Sequence, residues 1–189
     1  MRNLQGLGAK FAIIGGVAIS IRTVERFTKD LDIAIAVQSD NEAEEIVLSL
    51  SRMGYFVETV IEQDEADRLA TVRFSYSGPP KILVDVLFAS SGIEPEVVAA
   101  AEEAEMFPGI TGMVATVPSL IALKVLSADS TRRMQDIIDI QYLLKDAPPQ
   151  DIAEARQLLT LIEQRGYNRN KDLLAELTRY LADFQSPTS

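Results

Sequence analysis

Three acids stand where acids are costly. Asp30 and Asp32 open an otherwise apolar run that continues to Val37, and Asp85 lies in the middle of Leu83-Val84-Asp85-Val86-Leu87. Aspartate is depleted in strands, and a buried carboxylate is expensive unless it is paired or ligates a metal. Side chains alternate along a strand, so Asp30 and Asp32 share one face with Ala34 and Ala36 behind them. Leu31, Ile33, Ile35 and Val37 form the opposite, core-facing side. Asp85 shares its face with Leu83 and Leu87. If the two strands are neighbours in register, three carboxylates converge at one end of a sheet. Like charges that close raise one another's pKa unless a cation neutralises them. A divalent ion with oxygen ligands resolves this, and Mg²⁺ with substrate phosphates is the usual partner of so sparse a carboxylate set. A lone aspartate at a strand end often caps a helix or pairs with an arginine. A triplet has few such uses.

Gly15-Gly16 follows a short apolar run, Phe11–Ile14, and precedes a helical stretch. Glycines there let a backbone approach a phosphate, and the helix that follows presents free N–H groups. A tight turn explains such a pair equally simply; its value lies in its place fourteen and fifteen residues before Asp30. Arg26 would reach either a phosphate or Asp30. Lys124 reads as a cation for phosphate or as a surface lysine on an amphipathic helix. Arg132, Arg133, Asp136 and Asp139 fall at spacings that also suit a solvated ladder of ion pairs.

Composition narrows the chemistry further. The 189 residues include no cysteine and no histidine. That excludes a disulfide scaffold, a thiolate zinc site, a cysteine nucleophile and histidine general-base catalysis. Carboxylates, lysine, arginine and hydroxyls must do any catalytic work. At 47% hydrophobic and 24% charged, the chain is globular and long enough to bury a core. Its formal charge of −10 argues against non-specific nucleic-acid binding, which needs clustered basic residues. The apolar stretch from Phe11 to Ile21 follows Arg2 and Lys10, as in a signal peptide, but it has a Gly-Gly pair and no clear cleavage site. It is also too short to span a bilayer. A cytoplasmic protein with no membrane partner is the expectation.

The elements that must position these residues are legible as alternating runs. Strands are expected at Phe11–Ile14, Leu31–Val37, Tyr55–Ile61, Ala70–Tyr76 and Lys81–Ala89, with helices at Val17–Val24 and Asn41–Met53. Gly54 ends the second helix. The turn Ser77-Gly78-Pro79-Pro80 implies antiparallel pairing of its flanking strands, and so a mixed sheet. Pro95–Glu105, rich in Ala and Glu, reads as helical, and a loop with Pro108, Gly109 and Gly112 leads to Met113–Val117. Further helices are expected at Pro118–Ser127, Arg132–Lys145, Gln150–Gln164 and Lys171–Phe184, with Pro118 in a first turn and a frayed tail from Gln185. The division is an α/β (α+β) catalytic core, residues 1–117, and a helical C-terminal subdomain, residues 118–189.

Taken together, Ile14-Gly15-Gly16-Val17-Ala18, the run Arg26-Phe27-Thr28-Lys29-Asp30-Leu31-Asp32-Ile33 and Val84-Asp85-Val86-Leu87 resemble the nucleotidyltransferase superfamily that includes DNA polymerase beta. The likeness is greatest to its AbiEii/AbiGii abortive-infection toxin branch. There a Gly-Gly loop, an Arg-x-Thr-x-Asp-[Ile/Leu]-Asp string and a later single Asp occur in this order. Leu120-Ile121-Ala122-Leu123-Lys124, followed by Arg133-Met134-Gln135-Asp136-Ile137-Ile138-Asp139-Ile140, is similar to that family's helical half. The resemblance implies a small mixed-sheet nucleotidyltransferase fold with the nucleotide in a cleft between sheet and helices. It also implies transfer of a nucleoside monophosphate (NMP) from a nucleoside triphosphate (NTP) to an acceptor hydroxyl, with release of pyrophosphate. By that resemblance Asp30 and Asp32 hold two Mg²⁺ ions, while Asp85 holds the catalytic one and helps deprotonate the acceptor. Gly15 and Gly16 cradle the β- and γ-phosphates, Lys124 neutralises triphosphate charge and Asp136 faces the nucleotide. Many superfamily members have Gly-Ser where this chain has Gly15-Gly16, so one hydroxyl contact to phosphate is missing.

The acceptor implied is RNA, a protein or a small molecule, with a toxin acting on tRNA, and an antitoxin as partner, as the refinement. The alternative is a nucleotide-binding or regulatory protein of the same fold without turnover. Intact Asp30, Asp32 and Asp85 count against it. A third reading is a structural interaction domain whose acids bind Ca²⁺ or arginine; dependence on Mg²⁺ only with NTP separates it from the first.

Overall fold

The structure is a computed structural model and describes residues 1–63, 68–76, 82–128 and 134–185. The expected Ser77–Pro80 turn, Arg132, Arg133 and the tail from Ser186 lie outside the described residues. Seven strands form one mixed sheet: β1 (Lys10–Ile14), β2 (Asp30–Ala36), β3 (Tyr55–Gln63), β4 (Arg68–Tyr76), β5 (Leu83–Leu87), β6 (Glu102–Phe107) and β7 (Ile110–Val114), in the order β3-β4-β5-β2-β1-β7-β6. The pairings of β2 with β5 and of β1 with β7 are parallel, and the others are antiparallel.

The helices are α1 (Arg2–Gly6), α2 (Gly15–Arg22), α3 (Asp40–Arg52), α4 (Glu94–Ala100), α5 (Val117–Ser127), α6 (Met134–Lys145), α7 (Pro149–Gln164) and α8 (Leu173–Gln185). Helix α3 shows how local sequence sets these bounds. Ser39 Oγ accepts from the Glu42 N–H, and Glu42 in turn accepts from the Gln38 N–H at 2.7 Å, which is a reciprocal cap. Ala43, Ile46 and Leu50 form its buried stripe, and Gly54, at φ 90°, turns the chain back into β3. Helix α5 has Pro118 in its first turn and is buried on most of its surface, with Lys124 as its one charged residue.

One expectation fails. The helix read over Pro95–Glu105 stops at Ala100, and Glu102–Phe107 forms β6, hairpinned to β7 through Pro108-Gly109. Alanine and glutamate favour helix locally, but Ala104 and Met106 alternate inward against exposed Glu103, Glu105 and Phe107, and Gly109 at φ 74° makes the turn. The hairpin is captured by tertiary contacts. Val114 extends the sheet beside Ile13 of β1, and Arg22 of α2 donates to the carbonyls of Val114 and Ala115 and pairs with Glu102.

A single apolar core joins sheet and helices, from Ile13, Ile35 and Phe74 through Leu120 and Ile121 to Leu159, Ile162 and Leu177. Helix α5 lies at its centre, against α2 on one side and α6, α7 and α8 on the other. Among the described residues no helix is long and apolar enough to cross a membrane.

Candidate active site

The sheet register places the three acids. In β2 and β5, Asp32 stands opposite Asp85 and Asp30 opposite Leu83. The same cross-strand row continues through Arg73 of β4, opposite Asp85, and on to Thr59 of β3. Directly opposed residues project from the same side of a sheet, so Asp32, Asp85 and Arg73 are immediate neighbours. Asp30, one pleat earlier on β2, reaches the same guanidinium.

Gly15 and Gly16 are not a loop before the helix but its first turn. Gly15 has φ 60°, a conformation that glycine adopts without penalty. A Cβ there would fall within 1.9 Å of Asp32 Oδ2, so the bare backbone passes directly over that carboxylate. The Gly16 N–H donates to Asp32. The helix start thus already binds an anion, which is what its free N–H groups and partial positive charge favour.

Burial pushes the Asp32 carboxyl up to about 6, Asp85 and Asp30 push it the same way, and Lys124 and the Gly16 N–H oppose them. Asp32 thus carries charge that its surroundings only partly relieve. Asp85 is held by Arg73, whose Nε donates to Oδ1 at 2.7 Å and Nη2 to Oδ2 at 2.6 Å. The same Nη2 lies 3.5 Å from Asp30 Oδ2. Arg73 is not among the residues that the sequence singles out. Its signal was a single arginine on the alternating face of an apolar strand, Leu69-Ala70-Thr71-Val72-Arg73-Phe74.

Across the cleft, α5 and α6 carry the second cluster. Lys124 Nζ sits 2.6 Å from Asp136 Oδ1 and 2.9 Å from Asp139 Oδ2. Ser127 Oγ donates to Asp136, and Arg26 Nη2 and the Gln135 amide donate to Asp139. Asp139 is fully buried and Asp136 nearly so, so neither belongs to a solvated ladder, and Lys124 is not a surface lysine. Arg26 pairs with Asp139, not with Asp30, which ties the loop before β2 to α6.

These groups line one cleft of about 870 Å³, bounded by Gly15, Asp30, Asp32, Arg73, Asp85 and Lys124, with Asp136 and Ser127 at the α5–α6 wall. Among the described residues no group of three acids is arranged to hold a metal ion as it stands. The donor chemistry nevertheless fits a hard divalent cation: Asp32, Asp85 and Asp30 supply oxygens, Asp32 lacks a full counter-charge, and a guanidinium stands between the other two where a cation would.

Comparison with known proteins agrees in kind. A family model described as nucleotidyl transferase AbiEii toxin, type IV TA system, matches residues 1–187. A search of curated proteins finds no match. Among solved structures the fold is similar to an antigenic nucleotidyltransferase-like protein from Paracoccidioides brasiliensis, with 18% identity, a TM-score of 0.52 and coverage of 94% of this chain and 88% of that one. More distant likenesses are to the antibiotic-resistance factor ANT(2'')-Ia (18% identity, TM-score 0.46, coverage 97% and 88%) and to JHP933 from Helicobacter pylori (13%, 0.44, coverage 97% and 85%). With the mixed sheet, the paired strand acids and the family match over nearly its whole length, the chain belongs to the nucleotidyl transferase AbiEii toxin family of type IV toxin–antitoxin systems.

Proposed function

We propose that this protein moves an NMP from an NTP, bound with Mg²⁺, to an acceptor hydroxyl. The observation that carries this reading is the opposition of Asp32 and Asp85 across β2 and β5, with the first turn of α2 laid over Asp32. Acids in that register have no structural need of one another, because each raises the cost of ionising its neighbour.

Asp30, Asp32 and Asp85 would hold the metal, two ions in the fullest form of the proposal. Bound Mg²⁺ would supply the charge that stabilises the attacking and leaving oxygens. Gly15 lines the cleft, and it and Gly16 at the start of α2 would cradle the β- and γ-phosphates. Lys124 is held by Asp136 and Asp139, so its ammonium is already oriented for triphosphate charge and loses little freedom on binding. Asp85 would take the proton of the acceptor hydroxyl as its oxygen bonds to the α-phosphorus and the bond to pyrophosphate breaks. Residues 1–117 would carry the transfer chemistry and residues 118–189 would close the cleft over the nucleotide.

Membership of a toxin family supports a refinement: the acceptor is a tRNA, the compartment is the cytoplasm and a cognate antitoxin restrains the activity. With a formal charge of −10, RNA contact would be confined to the cationic side chains at the cleft, among them Arg73, Arg169 and Lys124.

The test is calorimetric titration of each of the four NTPs, with and without Mg²⁺, into the wild type and Asp32→Asn. At least one NTP should bind only with Mg²⁺, and Asp32→Asn should abolish that binding. Absence of binding by all four under both conditions would overturn the reading.

A further inference from the structure

Among the described residues Arg73 is the one cation paired with the strand acids, and its place is set by the sheet itself, opposite Asp85 in the β4–β5 pairing. Its fork occupies both oxygens of Asp85, at 2.7 and 2.6 Å, and leans on Asp30 at 3.5 Å. A guanidinium that accounts for much of the charge on both oxygens makes them poorer ligands, so arginine and metal compete for the same carboxylate. Arg73 and Lys124, the cations paired with acids of the cleft, also differ in freedom. Lys124 is 14% exposed and clasped by two buried aspartates, whereas the Arg73 side chain is 40% exposed and held only at its tip. Arg73 can therefore swing on its stem without disturbing the core.

Resting on the transferase reading above, we infer that Arg73 is an internal counter-ion for Asp85 and Asp30 that gives up these acids when metal and nucleotide arrive together, and then pairs with the triphosphate. Charge and shape govern the exchange. With Arg73 withdrawn, three carboxylates leave three negative charges, more than one divalent cation offsets and fewer than two carry. The planar fork that fits a carboxylate fits a phosphate equally well. Metal alone offers Arg73 no new partner, so it must displace the guanidinium unaided; metal with NTP supplies both the replacement for Arg73 and the anion that receives it. The site is thus closed to free divalent ions and opened by the nucleotide complex.

The experiment measures two affinities in Arg73→Ala and Arg73→Gln: Mn²⁺ alone, by electron paramagnetic resonance, and each NTP with Mg²⁺, by calorimetry. Thermal melting confirms that the variants fold, and the glutamine variant keeps a polar stem should the alanine variant not. Loss of a charge-assisted hydrogen bond predicts roughly tenfold tighter Mn²⁺ and roughly tenfold weaker NTP–Mg²⁺. Opposite movement of the two affinities is the expected result, since a purely structural arginine would weaken both or neither. Variants that bind Mn²⁺ no tighter than the wild type overturn the counter-ion role. Variants that bind Mn²⁺ tighter with NTP affinity unchanged overturn the transfer of Arg73 to the triphosphate. If the wild type binds NTP–Mg²⁺ normally in either case, only this inference fails; if the wild type binds no NTP at all, the transferase reading fails first.

Discussion

Gly15 and Asp32 are in contact across a gap that no side chain can enter: a methyl group on Gly15 would stand 1.9 Å from Asp32 Oδ2 and 2.8 Å from its Cβ. Both the strand acid and the helix backbone are therefore fixed by the absence of one atom. The contact gives the N-terminus of α2 its electrostatic partner and holds the acid at the floor of the cleft.

Gly15→Ala should accordingly lose more than nucleotide binding. The alanine must adopt φ 60°, which costs roughly 1–2 kcal/mol, and Asp32 must move along with its strand. The melting temperature is expected to fall by several degrees and Mg²⁺-dependent NTP binding to vanish. A variant that keeps both would show that the helix start does not need to lie on Asp32.

Asp32→Asn separates stability from function. The folded carboxyl titrates near 6 against 3.8 for the free residue, so between those values the folded state holds the proton more tightly. Stability then falls as pH rises from about 4 to about 6 and stays lower above that. The difference corresponds to at most about 3 kcal/mol at neutral pH. Asp32→Asn should thus be the more stable protein at pH 7.5, with the advantage gone near pH 3.5, while NTP–Mg²⁺ binding is lost. Urea unfolding at the two pH values measures this. In the wild type, NTP–Mg²⁺ binding should weaken as pH drops below about 6. A variant less stable than wild type at pH 7.5 would contradict the strained charge at this site.

Asp139 is expected to be structural first. It has no exposure and receives Arg26, Lys124 and Gln135. Removing one partner from a buried charge network costs about 3–5 kcal/mol, so Asp139→Ala should approach the limit of folding in a protein of ordinary stability. Asp139→Asn keeps the hydrogen-bonding shape and should lose clearly less. Equal melting temperatures for Asp139→Ala and the wild type would mean that the α5–α6 cluster does not hold the cleft together.

Gly16 explains why serine, common at this place in the wider superfamily, is absent. A Cβ there would lie 2.6 Å from Thr28 Oγ1 and 2.9 Å from Arg26 Nη2, the atom that bridges to Asp139. Gly16→Ser must push Arg26 off that bridge. The expected outcome is a loss of about 1–3 kcal/mol that is less than additive with Arg26→Ala, because the second change removes one of the two obstacles and leaves Thr28. Additive losses in the double variant would rule out the clash as the cause.

The residues that do chemistry were legible because they break local rules. Asp30, Asp32 and Asp85 stand in strands that would otherwise be apolar, and the alternation of a strand fixes which face each must take. Gly54 and Pro118 were legible too, since each acts on a neighbour within a few residues. What stayed hidden depended on partners far away in the chain. The β6–β7 hairpin has a helical composition, and only the free edge of β1 and the grip of Arg22 make it a strand pair. Arg73 looked like an ordinary strand residue until the β4–β5 register put it on Asp85, and Asp136, Asp139 and Lys124 suited a solvated face as well as a site until α5 was buried at the centre of the core. The sequence by itself determined which groups are present, which faces the strand acids take and the family to which they point. The tertiary structure alone decided which charges meet, because burial and cross-strand register are properties of the assembled sheet and helices and of no single segment.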